Sequence, residues 1–136
     1  MTTNAHRIKT DPDNYEPFKI AQAYRAGDLI FVSGQAAIAD DGAIVGAGDF
    51  EAQARRSIEN LGRVLEAGGS GLDKLVKVTI LVTDISNFET VVKLREEYFT
   101  APYPADTIFE VRSLALPELL FEIEAVALAD GHVIDA

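Results

Sequence analysis

Two short stretches hold the side chains best suited to proton chemistry: FEIEAVALA, residues 121–129, and PADTIFEVR, residues 104–112. In the first, Glu122 and Glu124 interrupt an apolar run at alternate positions, which on a strand is one face. Such a carboxyl is either a solvated outer-face residue, the common use of charge on a strand, or a general acid or base in an interface pocket, where partial burial raises its pKa. In the second, Asp106 stands at the mouth of a strand. Alternation puts Asp106, Ile108, Glu110 and Arg112 on one face and Thr107, Phe109 and Val111 on the other. Asp106 is thus a solvated edge residue or part of a site.

Other chemistries find little material. There is no cysteine, so thiolate nucleophiles, disulfides and cysteine-based zinc sites are excluded. His6 and His132 lie near opposite ends of the chain, and no metal cluster assembles around them. Ser33 has no histidine close in sequence to activate it. Gly68-Gly-Ser-Gly71 follows a helical pattern and lacks the Lys-Ser/Thr of a phosphate loop, so it reads as a helix stop. No cofactor is expected.

The composition narrows the partners. Twelve Lys and Arg against 22 Asp and Glu give a net charge of −10, and the only basic pair is Arg55-Arg56. Phosphate backbones and anionic membranes both need a basic face, so neither nucleic acid nor membrane is an expected partner. No apolar run approaches the roughly 20 residues of a membrane span. The polar start MTTNAHRIKTDPDNYEP has no secretory signal, and the reading is cytoplasmic.

The elements that must position the acids alternate. Residues 1–136 read as one domain, with about 1–15 a loose arm. Phe18–Tyr24 and Leu29–Ser33 are expected strands, the second continuing past a bulge at Gly34 to Ala39. Asp49 is a candidate N-cap for a helix whose apolar stripe is Phe50, Ala54, Ile58, Leu61 and Leu65. A strand over Leu75–Thr83 puts Val76, Val78, Ile80 and Val82 on one face. Ser86 to Glu89 forms a capping box for a second helix. The strand from Asp106, a strand over Leu120–Ala129 and a short one around Val133 finish the chain. This is an α+β layering, two helices covering one face of a mostly antiparallel sheet. The uncovered face is expected to carry Lys77, Leu81, Asp106, Ile108, Glu110, Glu122, Val126 and Leu128. Its mixture suits a subunit interface better than water or a core.

LIFVSGQ (29–35), QARRSIENL (53–61), VKVTILVTD (76–84), Tyr98-Phe99, YPA (103–105) and EIEAVA (122–127) together resemble the Rid family, the reactive intermediate deaminases of the YjgF type, from about Glu16 to Ala129. The resemblance implies a chorismate-mutase-like fold, a homotrimer, and small-molecule pockets between subunits. It also implies cofactor-free hydrolysis of imines and enamines to a 2-keto acid and ammonia, with an arginine gripping the substrate carboxylate and a glutamate aiding water. Position by position, it makes Glu122 the pocket glutamate and keeps Ser33, Gly34 and Gln35. Phe18 takes the place of a tyrosine, Val92 that of a pocket asparagine, and Asp106 that of the gripping arginine.

The last change inverts a charge. A unit pair about 4 Å apart interacts by about 4 kcal/mol at an effective dielectric near 20, so attraction for a carboxylate becomes repulsion of similar size. Arg112 lies roughly 20 Å along the strand and cannot replace it, whereas Arg25 or Lys77 could approach from another strand or subunit. The expectation is a hydrolase of imines or enamines that are neutral or carry an amine for Asp106, with Glu122 and Asp106 catalytic and Phe18, Ser33, Val92, Asp106 and Ile108 lining the pocket. The alternatives are a non-catalytic trimeric metabolite binder and a tautomerase using Asp106 and Glu122 as paired carboxylates. Older family labels, endoribonuclease and translation inhibitor, fit poorly with this charge.

Overall fold

A computed structural model describes residues 2–135; Met1 and Ala136, the ends of the expected domain, lie outside the described residues. Six strands form one sheet: β1 (Ala5–Ile8), β2 (Ala23–Ala26), β3 (Leu29–Ala36), β4 (Leu75–Val82), β5 (Ala105–Glu110) and β6 (Phe121–Leu128), in spatial order β1-β2-β3-β6-β4-β5. Helices α1 (Phe50–Ala67) and α2 (Phe88–Tyr98) cover one face. All pairings are antiparallel except β4 with β5. The α+β, mostly antiparallel expectation holds.

The helix α1 follows from its sequence. The Asp49 side chain accepts from Ala52 N at 3.1 Å, satisfying one orphan donor of the first turn. Ala54, Ile58, Leu61 and Leu65 are buried as their spacing requires, each worth about 1.5–3 kcal/mol for a side chain of leucine size. Phe50 meets Phe121 of β6 edge to face, with ring centroids 5.9 Å apart. One connected set of buried apolar side chains runs from Ile8 to Ala129.

Several expectations need correction. The N-terminal arm is tied down: β1 pairs with β2, and Thr10 N donates to Gln22 Oε1 at 2.6 Å. Only Ala23 onward is strand in the Phe18–Tyr24 segment, because Glu16–Phe18 is a 3-10 turn opened by Pro17 and ended by left-handed Lys19, φ 63°. The capping box before α2 does not form; Asp84 instead accepts from Ser86 N at 2.9 Å and closes a 3-10 turn over Ile85–Asn87. Around Val133 there is no strand. On β4 a register shift between Leu75 and Lys77 buries Leu75 and leaves Val76 half-buried. The expected bulge in β3 lies between Val32 and Gln35.

The largest correction concerns β5. It pairs in parallel with β4 with Val78 beside Asp106 and Ile80 beside Ile108. Neighbours in register share a face, and Val78 and Ile80 are buried under the helices. Asp106 and Ile108 therefore face the helices, and Ile108 packs against the core. The uncovered face receives Thr107 and Phe109 instead. Alternation alone cannot tell which of two faces is covered; the crossover through α2, which makes β5 parallel, decides it.

Candidate functional site

Glu122 stands on the uncovered face of β6, between Ala36 on β3 and Leu81 on β4. A cavity of about 600 Å³ opens in front of it, walled mainly by Tyr15, Phe18, Ile20, Ile38, Leu116 and Leu119. The β3 bulge brings Gly34 under the acid: a Cβ built on Gly34 would stand 2.4 Å from Glu122 Oε2. The Tyr15 hydroxyl donates to Gly34 O at 2.5 Å. Among the described residues no hydrogen bond reaches the Glu122 carboxylate. Burial, and then the nearby Glu124, push its pKa above the usual carboxylate range. Burial first, with the Glu122 charge behind it, lifts the Tyr15 phenol to about 12. The arrangement is a half-buried acid in an apolar cup, which holds its proton to higher pH than an ordinary glutamate.

Two expected residues share this cup. Phe18 presents its ring at 62% exposure. Ser33 lies at the wall, but its hydroxyl proton is used: Oγ donates to Ala21 O at 2.7 Å.

Asp106 and Val92 line a second cavity of about 390 Å³, with Arg95, Glu96, Phe99 and Tyr103. Here α2 delivers a cation that the sequence reading missed. Arg95 Nη2 donates to Asp106 Oδ1 at 3.0 Å, and Arg95 Nε lies 2.8 Å from Asp106 Oδ2, though off the axis of its N–H bond. The side chains are 23% and 15% exposed. The Phe88 ring covers the guanidinium, centroid to Cζ 5.6 Å. A signal existed: Arg95 follows Val92 by three residues and so shares its helix face. Tyr15 had no such signal: it joins Phe18 in the cup through the 3-10 turn over Glu16–Phe18, where a loose arm running into a strand was expected.

The cations considered earlier are elsewhere. Arg25 reaches Gly27 O at 3.0 Å and Asp130 at 3.7 Å, and Lys77 Nζ donates to Thr107 Oγ1 at 2.9 Å on the uncovered face. Ile108 packs beside the core and does not line either cavity. A third cleft, about 520 Å³, lies between α1 and the N-terminal segment; its polar walls pair with one another, as Arg63 with Asp40 at 3.2 Å, and it holds Gln35 but none of the residues expected to be catalytic or to line the pocket.

The two cavities do not meet within one chain. Glu122 is level with Leu81 and Asp106 with Val78, on strands flanking β4 and on opposite faces. Two strand spacings and three residues of rise separate their backbones by roughly 14 Å. The carboxylate pair of the tautomerase reading is therefore not formed in one chain, and Asp106 is committed to Arg95. Among the described residues no group of three or more His, Cys, Asp or Glu side chains is placed to hold a metal ion, and no helix is long and apolar enough to cross a membrane.

Residues 10–129 match the family model described as Endoribonuclease L-PSP. The mitochondrial protein mmf2 of Schizosaccharomyces pombe is 40% identical over 108 residues, 79% of this chain and 84% of that protein. The 2-iminobutanoate/2-iminopropanoate deaminase of Homo sapiens is 32% identical over 108 residues, 79% and 78% of the two chains. A solved structure of the conserved Rid family protein YyfA from Yersinia pestis superposes with a TM-score of 0.83 at 33% identity, covering 92% of this chain and 99% of that one.

Proposed function

The chain belongs to the Endoribonuclease L-PSP family, the Rid proteins, and from that premise we propose that it is a cofactor-independent imine or enamine hydrolase whose small-molecule pocket is completed between subunits of a homotrimer. The observation that carries this reading is Glu122: a half-buried carboxyl with a raised pKa, free of hydrogen bonds among the described residues, at the floor of an apolar cup.

The chemistry it fits balances simply. Glu122 takes a proton from water as the oxygen attacks the carbon of the protonated imine, giving a neutral carbinolamine. The protonated Glu122 then gives that proton to the nitrogen, and as the C–N bond breaks the Glu122 carboxylate takes the hydroxyl proton and passes it to the departing ammonia, leaving a carbonyl compound and ammonium. A carboxyl whose pKa is raised above the ordinary glutamate range is suited to both taking and returning a proton. Phe18 and Ser33 wall this half of the pocket.

The subunit interface is the uncovered sheet face, where Tyr24, Phe31 and Phe109 are 43%, 47% and 52% exposed. That is a large apolar surface for a protein of this size to leave in water. Packing another copy on it offers a way to bring Val92 and Asp106 of one subunit toward Glu122 of the next, which a single chain does not do. The name of the human relative, a 2-iminobutanoate/2-iminopropanoate deaminase, points to imine hydrolysis. Here, with Asp106 in the wall, the substrates proposed lack a carboxylate beside the reacting carbon. The family description also names an endoribonuclease, but a net charge of −10 is the wrong sign for a phosphate backbone.

The test is ammonia release from a panel of imines generated in situ. Acceleration over buffer that disappears in Glu122→Gln supports the proposal; equal rates for the two proteins remove Glu122 from the mechanism.

A further inference from the structure

The Arg95–Asp106 pair does more than neutralise a wall. Asp106 takes one hydrogen bond from Arg95, Nη2 to Oδ1 at 3.0 Å, and sets Oδ2 2.8 Å from Nε as a charge contact off the N–H axis. Both carboxylate oxygens thus lie against the guanidinium edge with which an arginine holds a carboxylate. The remaining nitrogen, Nη1, makes no hydrogen bond among the described residues and is not among the buried unpartnered atoms, and Arg95 lines the cavity. The Phe88 ring lies on one side of the guanidinium, its centroid 5.6 Å from Cζ.

We infer that Asp106 acts as a built-in carboxylate that fills the fork of Arg95, so that this half-pocket selects ligands presenting a neutral hydrogen-bond acceptor to Arg95 Nη1 and refuses carboxylates until the Asp106 charge is removed. The inference rests on the intersubunit pocket proposed above and names its substrate class. It also separates two options that the sequence left open. An amine-bearing ligand needs a carboxylate whose charge is unmatched, and the Asp106 charge is matched by Arg95. A neutral carbonyl, amide or imine needs one donor edge, and Nη1 supplies it.

The electrostatics agree. Among the side chains that line this cavity, those charged at neutral pH are one cation, Arg95, and two anions, Asp106 and Glu96. An incoming carboxylate would have to displace an aspartate that is already in place, at no translational cost, or approach the single free edge against two like charges. A neutral acceptor meets neither obstacle.

The experiment measures equilibrium binding of pyruvate and of pyruvamide, its neutral isostere, to the full chain by calorimetry. Wild type should bind pyruvamide at least tenfold more tightly than pyruvate. In Asp106→Asn, which keeps the size and removes the charge, pyruvate should gain at least tenfold relative to pyruvamide, and Arg95→Met/Asp106→Asn should lose that gain. Equal binding of the two probes by wild type, binding of neither, an unchanged ratio in Asp106→Asn, or a gain that survives in the double variant would each overturn the inference. If Asp106→Asn does not fold, the wild-type ratio alone still decides. Glu122→Gln separates this from the hydrolase reading: it should lower ammonia release by roughly 10²–10⁴-fold, while the relative gain of pyruvate on Asp106→Asn should still appear in the Glu122→Gln background.

Discussion

Glu122 lays its carboxylate over the bare Cα of Gly34, so closely that a methyl group there would stand 2.4 Å from Oε2 and 2.8 Å from Cδ. The acid is placed by the backbone shape of the β3 bulge, while the Tyr15 hydroxyl holds the Gly34 carbonyl.

Gly34→Ala should therefore separate folding from function. The obstructing atoms are the free end of a flexible side chain, so the backbone can stay and Glu122 must swing away. Thermal melting should shift by a few degrees at most, while ammonia release falls about 100-fold, the usual cost of an ångström of misplacement. A collapse in melting temperature with no specific loss in the folded fraction would make Gly34 a folding residue instead.

Glu122→Gln should lower the rate by roughly 10²–10⁴-fold, the range for losing a general acid or base, with the oligomer intact by sedimentation. The wild-type rate should show a limb governed by a carboxyl above the ordinary glutamate range, absent from the residual activity of the variant.

The same acid leaves a mark on stability. Because its folded pKa is raised, folded Glu122 keeps its proton over a window where the unfolded chain has lost it. The folded state then binds more protons, and stability falls as pH rises from the ordinary glutamate value through the folded one. Glu122→Gln has no such group. Its melting temperature, compared with wild type, should be similar below about pH 4 and higher at neutral pH. A difference that stays flat across that range would contradict the raised pKa.

Breaking the Arg95–Asp106 pair from one side should cost more than removing it whole, since a lone charge stays half-buried. A double-mutant cycle of Arg95→Met and Asp106→Leu, followed by urea unfolding, should give a coupling of about 1–3 kcal/mol. Additive losses would make the pair an incidental surface contact.

Phe31→Lys with Phe109→Lys should shift the sedimenting species toward the 14.7 kDa single chain, because both rings lie exposed on the uncovered face. A particle unchanged in size would move the interface elsewhere.

How much of this was legible in the sequence differs by element. The periodic stripe of α1 and its Asp49 cap were readable, because 3.6-residue spacing and an N-cap are local signals. The bulge at Gly34 was readable from a glycine inside a β-rich run. The face of β5 was not, since alternation fixes which residues share a side and says nothing about which side is covered. That error carried Asp106 and Ile108 to the wrong surface. Arg95 was missed for a related reason: its partner is eleven residues away on another element, and pairing across a crossover has no local signature. Glu122 was found as a candidate from the acid within an apolar run, but its freedom from hydrogen bonds and its seat over Gly34 are three-dimensional facts.

The Arg95–Asp106 fork also couples two positions in heredity. A change of Asp106 to arginine alone would set two guanidinium groups face to face, and a change of Arg95 alone would strand the aspartate. Moving the positive charge from helix to strand thus requires both substitutions together, since each alone leaves an unmatched charge. Positions 95 and 106 are epistatic, and a variant library that samples them singly will report this wall as immutable when it is only jointly mutable.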